Sequence, residues 1–221
     1  MATIYAHTND GYVVRANEST WAAARDQTGG TSKSSTVTSS AFAMRADRGA
    51  ARGGGYVYTV QRSFLYFDTS GISSTVDSAT LNIFGTSNGG GDVIVVKSDS
   101  DIDTLDLVDF DAIVGWSNLG VDNQPNVTMY SNEVTTWSTS GYNSITLAAG
   151  ALSDMEDDDA LYVCIMNYDY DLRNVTPTGH TAHRNGMWYT DYTGTSRDPY
   201  VDYTLAAVTA ADNAVFFGTN F

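Results

Sequence analysis

Two acidic runs carry the first candidate chemistry in this sequence. Asp99, Asp101 and Asp103 alternate with other residues like the opening of a calcium loop, and Asp154, Glu156 and Asp157 begin a run that continues through Asp158 and Asp159. Carboxylates this close repel one another, and a hard cation such as calcium relieves that repulsion. The first run departs from the EF-hand pattern, because Thr104 stands where that loop needs glycine and no glutamate closes it. A solvated acidic turn is the plainer reading of both. Calcium is the cation these donors suit, and no cofactor is required. His180 and His183 lie three apart, but Pro177, Gly179 and Gly186 oppose the helix that would align them. They also lack the cysteine partners or third ligand of a zinc site.

Hydrolytic chemistry finds little footing. No Gly-x-Ser-x-Gly elbow occurs. Gly89, Gly90 and Gly91 are not followed by the Lys-Ser/Thr of a phosphate loop. Glycosidase action depends on the separation of two carboxylates, which a sequence does not display. The chain is therefore expected not to be an enzyme, with a polysaccharide-active hydrolase or lyase as the distant alternative.

Binding chemistry has better candidates. Tyr168, Tyr170, Trp188, Tyr189 and Tyr192 crowd the later strands, where aromatic faces could stack on sugars or anchor an interface. Trp21, Trp116 and Trp137 are scattered and read as core. Arg45, Arg48 and Arg52 form the one basic cluster, suited to bidentate pairing with carboxylates of a neighbouring subunit or of the chain itself. Phe216, Phe217 and Phe221 close a terminal segment that must either pack back or dock on a neighbour, since apolar rings are costly to leave in water.

The elements that must position these residues are strands. Ala79, Leu81 and Ile83 alternate with Ser78, Thr80 and Asn82, which is the period of a half-buried strand. Residues 56–68 are apolar on both faces, with Phe64 and Tyr66 on one and Leu65 and Phe67 on the other. Such a strand is central or covered on its outer side. Further strands are expected at 3–6, 12–15, 41–45, 93–97, 144–147, 161–168, 187–192 and 200–205, with short helical turns within 105–114 and 147–155. The Gly/Ser/Thr-rich and Ala/Gly-rich stretch 29–55 reads as a long loop or insertion holding the short strand 41–45. The expected architecture is one all-β domain over 1–205, a jelly-roll-like antiparallel β-sandwich with one or two short helices, followed by a tail at 206–221.

Charge bounds the partners. Eleven basic against 26 acidic side chains give a formal charge of −15, which opposes nucleic acid and anionic lipid. The single cysteine, Cys164, sits in an apolar run and reads as a small core residue. The first residues lack a basic and apolar leader, and no apolar stretch is long enough to span a bilayer.

Three ordered stretches carry a family resemblance: Arg62-Ser63-Phe64-Leu65-Tyr66-Phe67-Asp68 with Asp77–Ile83, Gly141-Tyr142-Asn143-Ser144-Ile145-Thr146-Leu147, and Gly194-Thr195-Ser196-Arg197-Asp198-Pro199-Tyr200. Over residues 2–205 the chain resembles the DNRLRE-type jelly-roll domains, which are related to carbohydrate-binding modules and occur among bacteriophage structural proteins. The resemblance implies a sandwich with a binding or structural role and carries no catalytic motif. With the missing leader, it leads to the expectation of a virion structural or accessory protein assembled in the host cytoplasm, a capsid decoration (cement) protein or a tail- or fibre-associated one. Its partners would be other virion proteins and copies of itself, as in a trimer. The alternative is an extracellular glycan-binding module that engages a host surface glycan.

Overall fold

A computed structural model describes residues 1–100, 104–117, 125–179 and 183–207. Eleven antiparallel strands form one connected sheet that folds over on itself as a sandwich. In the first layer β1 (Ala2–Tyr5) pairs with β11 (Tyr200–Leu205), β11 with β6 (Val76–Asn88), and β6 with β8 (Tyr142–Thr146). In the second, β3 (Ser32–Ser34) pairs with β2 (Gly11–Glu18) and β2 with β5 (Tyr56–Asp68). The other side of β5 is shared. Residues 56–61 pair with β4 (Ser39–Ala50), and residues 63–68 with β9 (Ala160–Asn167), which pairs onward with β7 (Val93–Lys97). The short β10 (Arg184–Trp188) lies between β4 and β6 and joins the layers through an irregular register at Asn185–Met187. No helix among the described residues is long and apolar enough to cross a membrane.

The two apolar faces of β5 are both buried. Leu65 and Phe67 meet Val93, Val95, Val163, Ile165, Leu81 and Ile83 in the core between the layers. Phe64 turns outward with Ile94, Val96, Cys164 and Met166 into a second core. Strands β5, β7 and β9 all alternate between these cores, so their outer face needs a cover. Trp21 on α1 (Trp21–Arg25), Phe110 on a 3-10 turn (Leu107–Asp111), Trp116, and Leu172 on a π-turn (Tyr168–Leu172) provide it. Thr20 caps α1 by accepting a hydrogen bond from the Ala23 N–H. Cys164 is completely buried, and burial pushes its thiol pKa up.

One expectation is corrected. Residues 29–55 are not a long loop: β3 and the twelve-residue β4 occupy most of that stretch. Alanine and glycine make a poor strand signal by composition, but Ala43, Met44 and Ala46 are fully buried. Register with β5 from Arg45↔Gln61 to Ala50↔Tyr56 holds the segment in place. Small side chains are what a strand packed this closely accommodates. The 206–221 tail lies outside the described residues from 208 onward, Phe216, Phe217 and Phe221 included.

Candidate functional site

The strongest electrostatic feature is internal. Arg62 and Asp171 are both wholly buried, and the guanidinium grips the carboxylate with two hydrogen bonds, Nε to Oδ2 at 2.8 Å and Nη2 to Oδ1 at 2.7 Å. Its remaining donors reach the Phe110 carbonyl at 2.6 Å and the Arg25 carbonyl at 3.2 Å. Arg25 donates to the backbone carbonyls of Asp171 and Leu172, and both guanidinium groups lie over the Trp116 ring, at 4.6 and 3.9 Å. Burial lowers the Arg25 pKa, and Asp171 opposes that shift. This clasp ties α1, the 3-10 turn and the π-turn to β5. It is a fastening with every partner inside the chain. The only trace of it in the sequence is a single basic residue, Arg62, in the middle of a strand rich in aromatic and apolar residues.

The expected aromatic platform does not assemble as one surface. Tyr189 is fully buried, and its hydroxyl shares a 2.6 Å hydrogen bond with Ser63. It belongs to the inner core because Met187 and Tyr189 take the inward positions while Trp188 faces out. Trp188 meets Tyr192 edge to face at 4.8 Å, and Arg197 lies over both rings at 4.3 and 4.9 Å, so a cation takes the place a sugar would need. Tyr170 packs against His183 at 4.0 Å. Tyr168 stands apart, half-buried beside Arg173. His180 lies outside the described residues, while burial lowers the His183 pKa.

The arginine cluster lies on β4 and its hairpin, not in a loop, because β4 pairs with β5 through this stretch. Arg45 donates to Asp47 at 2.5 Å, and Arg48 donates to the Gly179 carbonyl at 3.1 Å and covers Tyr56. Both act within their own chain. Arg52 is exposed in the turn after β4.

The first part of the second acidic run is helical rather than a turn: Asp154, Glu156 and Asp157 lie on α2 (Ala149–Asp157), which buries Ala151 and Met155, while Asp158 caps the helix and Asp159 follows it with a positive φ. Asp154 pairs with Lys97 at 2.8 Å, Glu156 accepts from the Val76 N–H at 2.7 Å, and Asp157 accepts from Ser153 at 3.1 Å. The three are engaged with different protein partners and do not converge. The Asp99 N–H donates to Ala112, while Asp101 and Asp103 lie outside the described residues. Among the described residues the carboxylates that do converge are Asp92, Glu133 and Asp169, each with an oxygen within 4.8 Å of the others. A hydrogen bond to Asp92, desolvation and the charges of Asp92 and Asp169 raise the Glu133 pKa. They come from three separate segments, so no spacing in the sequence announces them.

A further buried acid joins the two ends of the chain. Asp10 is completely buried and accepts hydrogen bonds from the Thr190 N–H at 3.1 Å and the Thr190 hydroxyl at 2.8 Å. Burial pushes its pKa up to about 7, with Asp191 and Asp198 adding repulsion. Burial and Asp191 likewise raise Asp198 to about 6.

A furrow runs along the open side of the sandwich, where β7 and β8 are edge strands among the described residues. Segment 129–138 runs through this gap, bridged to β7 at Val93↔Val134 and Val96↔Met129. It is fastened to β8 by the Ser138 N–H and the Asn143 side-chain oxygen at 2.7 Å. Three depressions of about 410, 300 and 540 Å³ follow it, and adjacent ones share residues: Val134, Thr136 and Ser144 first, then Asn132 and Glu133. Tyr142 stands at one end and Tyr168 at the other.

No family model and no curated protein matches the chain.

Function must therefore be argued from these surfaces. Several perturbed ionisable groups sit in internal contacts (Asp10 on Thr190, Arg25 on the clasp, Tyr130 on Asp154), while Glu133 and Tyr142 line the furrow. Two exterior features stand out among the described residues: the β1 edge, which no described strand covers, and the hydroxyl-rich furrow at β8. The signal that could have drawn attention to the furrow is the sequence from Ser131 to Ser140, which is dense in Ser, Thr and Asn.

Proposed function

We propose that the chain is a non-enzymatic accessory protein of a virus particle's exterior, a decoration or tail- or fibre-associated subunit that works by assembling with copies of itself and with other particle proteins. The observation that carries this reading is the outer edge of the first layer. β1 hydrogen-bonds to β11 on one side, and no strand among the described residues covers the other. Around that edge Met1, Tyr5 and Leu205 are 91%, 44% and 46% exposed. The remaining edges are protected. β3 is three residues long and carries Lys33, while segment 129–138 lies against both β7 and β8. An unguarded edge flanked by apolar side chains is a template for pairing with another strand, and closed symmetric assembly is the usual outcome.

The clasp supports the same reading, because it fixes the covering segments and makes the module a stiff building block. The acidic surface keeps such a block soluble before assembly. Mass spectrometry of purified particles, with antibody labelling of intact ones, tests the location: the chain should be present and accessible, and its absence from particles ends the proposal. Ala2→Lys combined with Tyr5→Lys should prevent self-association. Truncation after Leu205 separates this edge from the tail, since assembly that survives truncation belongs to β1.

A further inference from the structure

We infer that the outer face of the first layer carries a docking site for residues 208–221 of a second copy, with Asp212 of the incoming segment paired to Arg197. This rests on the assembly reading and deepens it by naming a contact other than the β1 edge.

The site is a belt of rings that crosses β1, β11, β6 and β8. Leu81, Ile83, Ile145 and Val201 point into the core, so the alternate residues Phe84, Tyr142 and Tyr200 face outward, and Tyr5 lies opposite Tyr200 on β1. Neighbouring rings meet in turn: Tyr5 and Tyr200 at 5.7 Å, Tyr200 and Tyr142 at 4.9 Å, Tyr142 and Phe84 at 5.2 Å. Arg197 continues the belt, 5.4 Å from the Phe84 ring and over Trp188 and Tyr192. Tyr5 is exposed and the others are half-buried. The solvent face of an antiparallel sheet is ordinarily polar, and a contiguous apolar tract there marks an interaction surface.

Arg197 selects the occupant. Among the described residues its guanidinium meets rings alone, with no hydrogen-bond acceptor and no carboxylate. Asp191 and Asp198, close to it in sequence, do not pair with it. Its planar fork is therefore open to a carboxylate. The belt suits an apolar segment that carries one carboxylate and no cation. Residues 208–221 have that composition: Asp212 is their only charged side chain, with Val208, Val215, Phe216 and Phe217 around it.

Reach decides which copy supplies the segment. Leu205 pairs with Val76, eight residues down β6 from Phe84, which is about 26 Å at the rise of a strand. Ala206 continues away from the belt and donates to the Thr75 carbonyl. Asp212 follows Ala207 by five residues, about 18 Å at full extension, and the chain would have to reverse direction first. Arg197 is thus beyond the reach of its own Asp212 and open to a neighbour's. A four-residue β1 is also a small contact beside the roughly 800 Å² per partner of a stable interface. A docked segment strengthens the β1 contact by raising effective concentration.

The test uses the full chain and a fluorescent synthetic peptide of residues 208–221, read by anisotropy and by NMR. The peptide should bind and shift the resonances of Trp188, Tyr192 and Tyr142. Arg197→Glu should weaken binding tenfold or more with the melting temperature unchanged, and a peptide carrying Asp212→Lys should bind that variant better than the unaltered peptide does. On the unaltered chain, peptides carrying Asp212→Asn or Phe216→Ala with Phe217→Ala should each bind more weakly. Arg52→Glu, the same charge change outside the belt, should have no effect. Absence of peptide binding, indifference to both Arg197 and Asp212, or failure of the lysine peptide to rescue each overturns the inference. Occupation by the chain's own segment, seen as a Trp188 shift that is identical at every protein concentration and disappears in Arg197→Glu, overturns it as well. Peptide binding by a chain absent from particles would keep the belt and end the virion reading, whereas a particle component that assembles but ignores the peptide would do the reverse.

Discussion

Replacing Asp10 by asparagine should change how stability depends on pH, and in a direction opposite to the usual salt-bridged carboxylate. Asp10 is wholly buried and its pKa rises from 3.8 to about 7, chiefly because burial penalises the charge, while the Thr190 hydrogen bonds offset only part of that. Between those two values the folded protein holds a proton that the unfolded chain has released. Stability therefore falls as pH rises through this window and levels off above about 7. A shift of about three units corresponds to about 4 kcal/mol in all, of which about 2.5 kcal/mol falls between pH 5 and pH 8. The Asp10→Asn protein keeps an acceptor for Thr190 and has no charge to desolvate, so it should lose this slope. A shallower one of the same sign remains from Asp198. Urea unfolding at intervals from pH 5 to pH 8 gives both curves, and their separation should grow with pH in favour of the variant. Curves that stay parallel, or a wild-type protein that gains on the variant as pH rises, would refute the reasoning.

Three other perturbations have defined outcomes. Arg62→Ala leaves Asp171 buried without its partner and should cost about 3–5 kcal/mol in chemical denaturation, whereas Arg62→Met with Asp171→Leu should recover most of it; equal losses in both would show that the pair is not the source. Cys164 should not react with a thiol reagent until the protein unfolds, since its thiol is completely buried and its pKa raised. Gly85→Ala would place a Cβ 1.9 Å from the Ser138 carbonyl oxygen, so it should destabilise by about 1–3 kcal/mol and disturb the furrow wall, an effect that unchanged melting and unchanged residue 132–146 resonances would rule out.

The parts of the fold that were legible are those governed by local alternation. In residues 56–68 the apolar positions occupy both faces, and the structure provides a core for each, one formed around Leu65 and Phe67 and the other around Phe64. Only 41–45 of β4 is legible in the sequence, because alanine and glycine are poor strand formers. Its length is set by pairing with β5, which is a non-local cause. Surface sites were less legible for the same reason. Trp188 and Tyr189 are neighbours of similar chemistry, and only the register of β10 decides that one is outward under Arg197 and the other is core. Asp92, Glu133 and Asp169 meet because β7, segment 129–138 and the π-turn converge. The furrow likewise needs β8 and segment 129–138 side by side, and the hydroxyl-rich sequence supplies its lining without its shape.

The central claim is that the β1 edge makes this module assemble, and sedimentation velocity over a range of concentrations tests it most directly. The wild-type chain should form a discrete species heavier than the 23.8 kDa monomer, and the protein carrying Ala2→Lys and Tyr5→Lys should sediment as that monomer with its melting temperature retained. A wild-type protein that stays monomeric at every concentration, or a doubly substituted one that assembles equally well, would contradict the account.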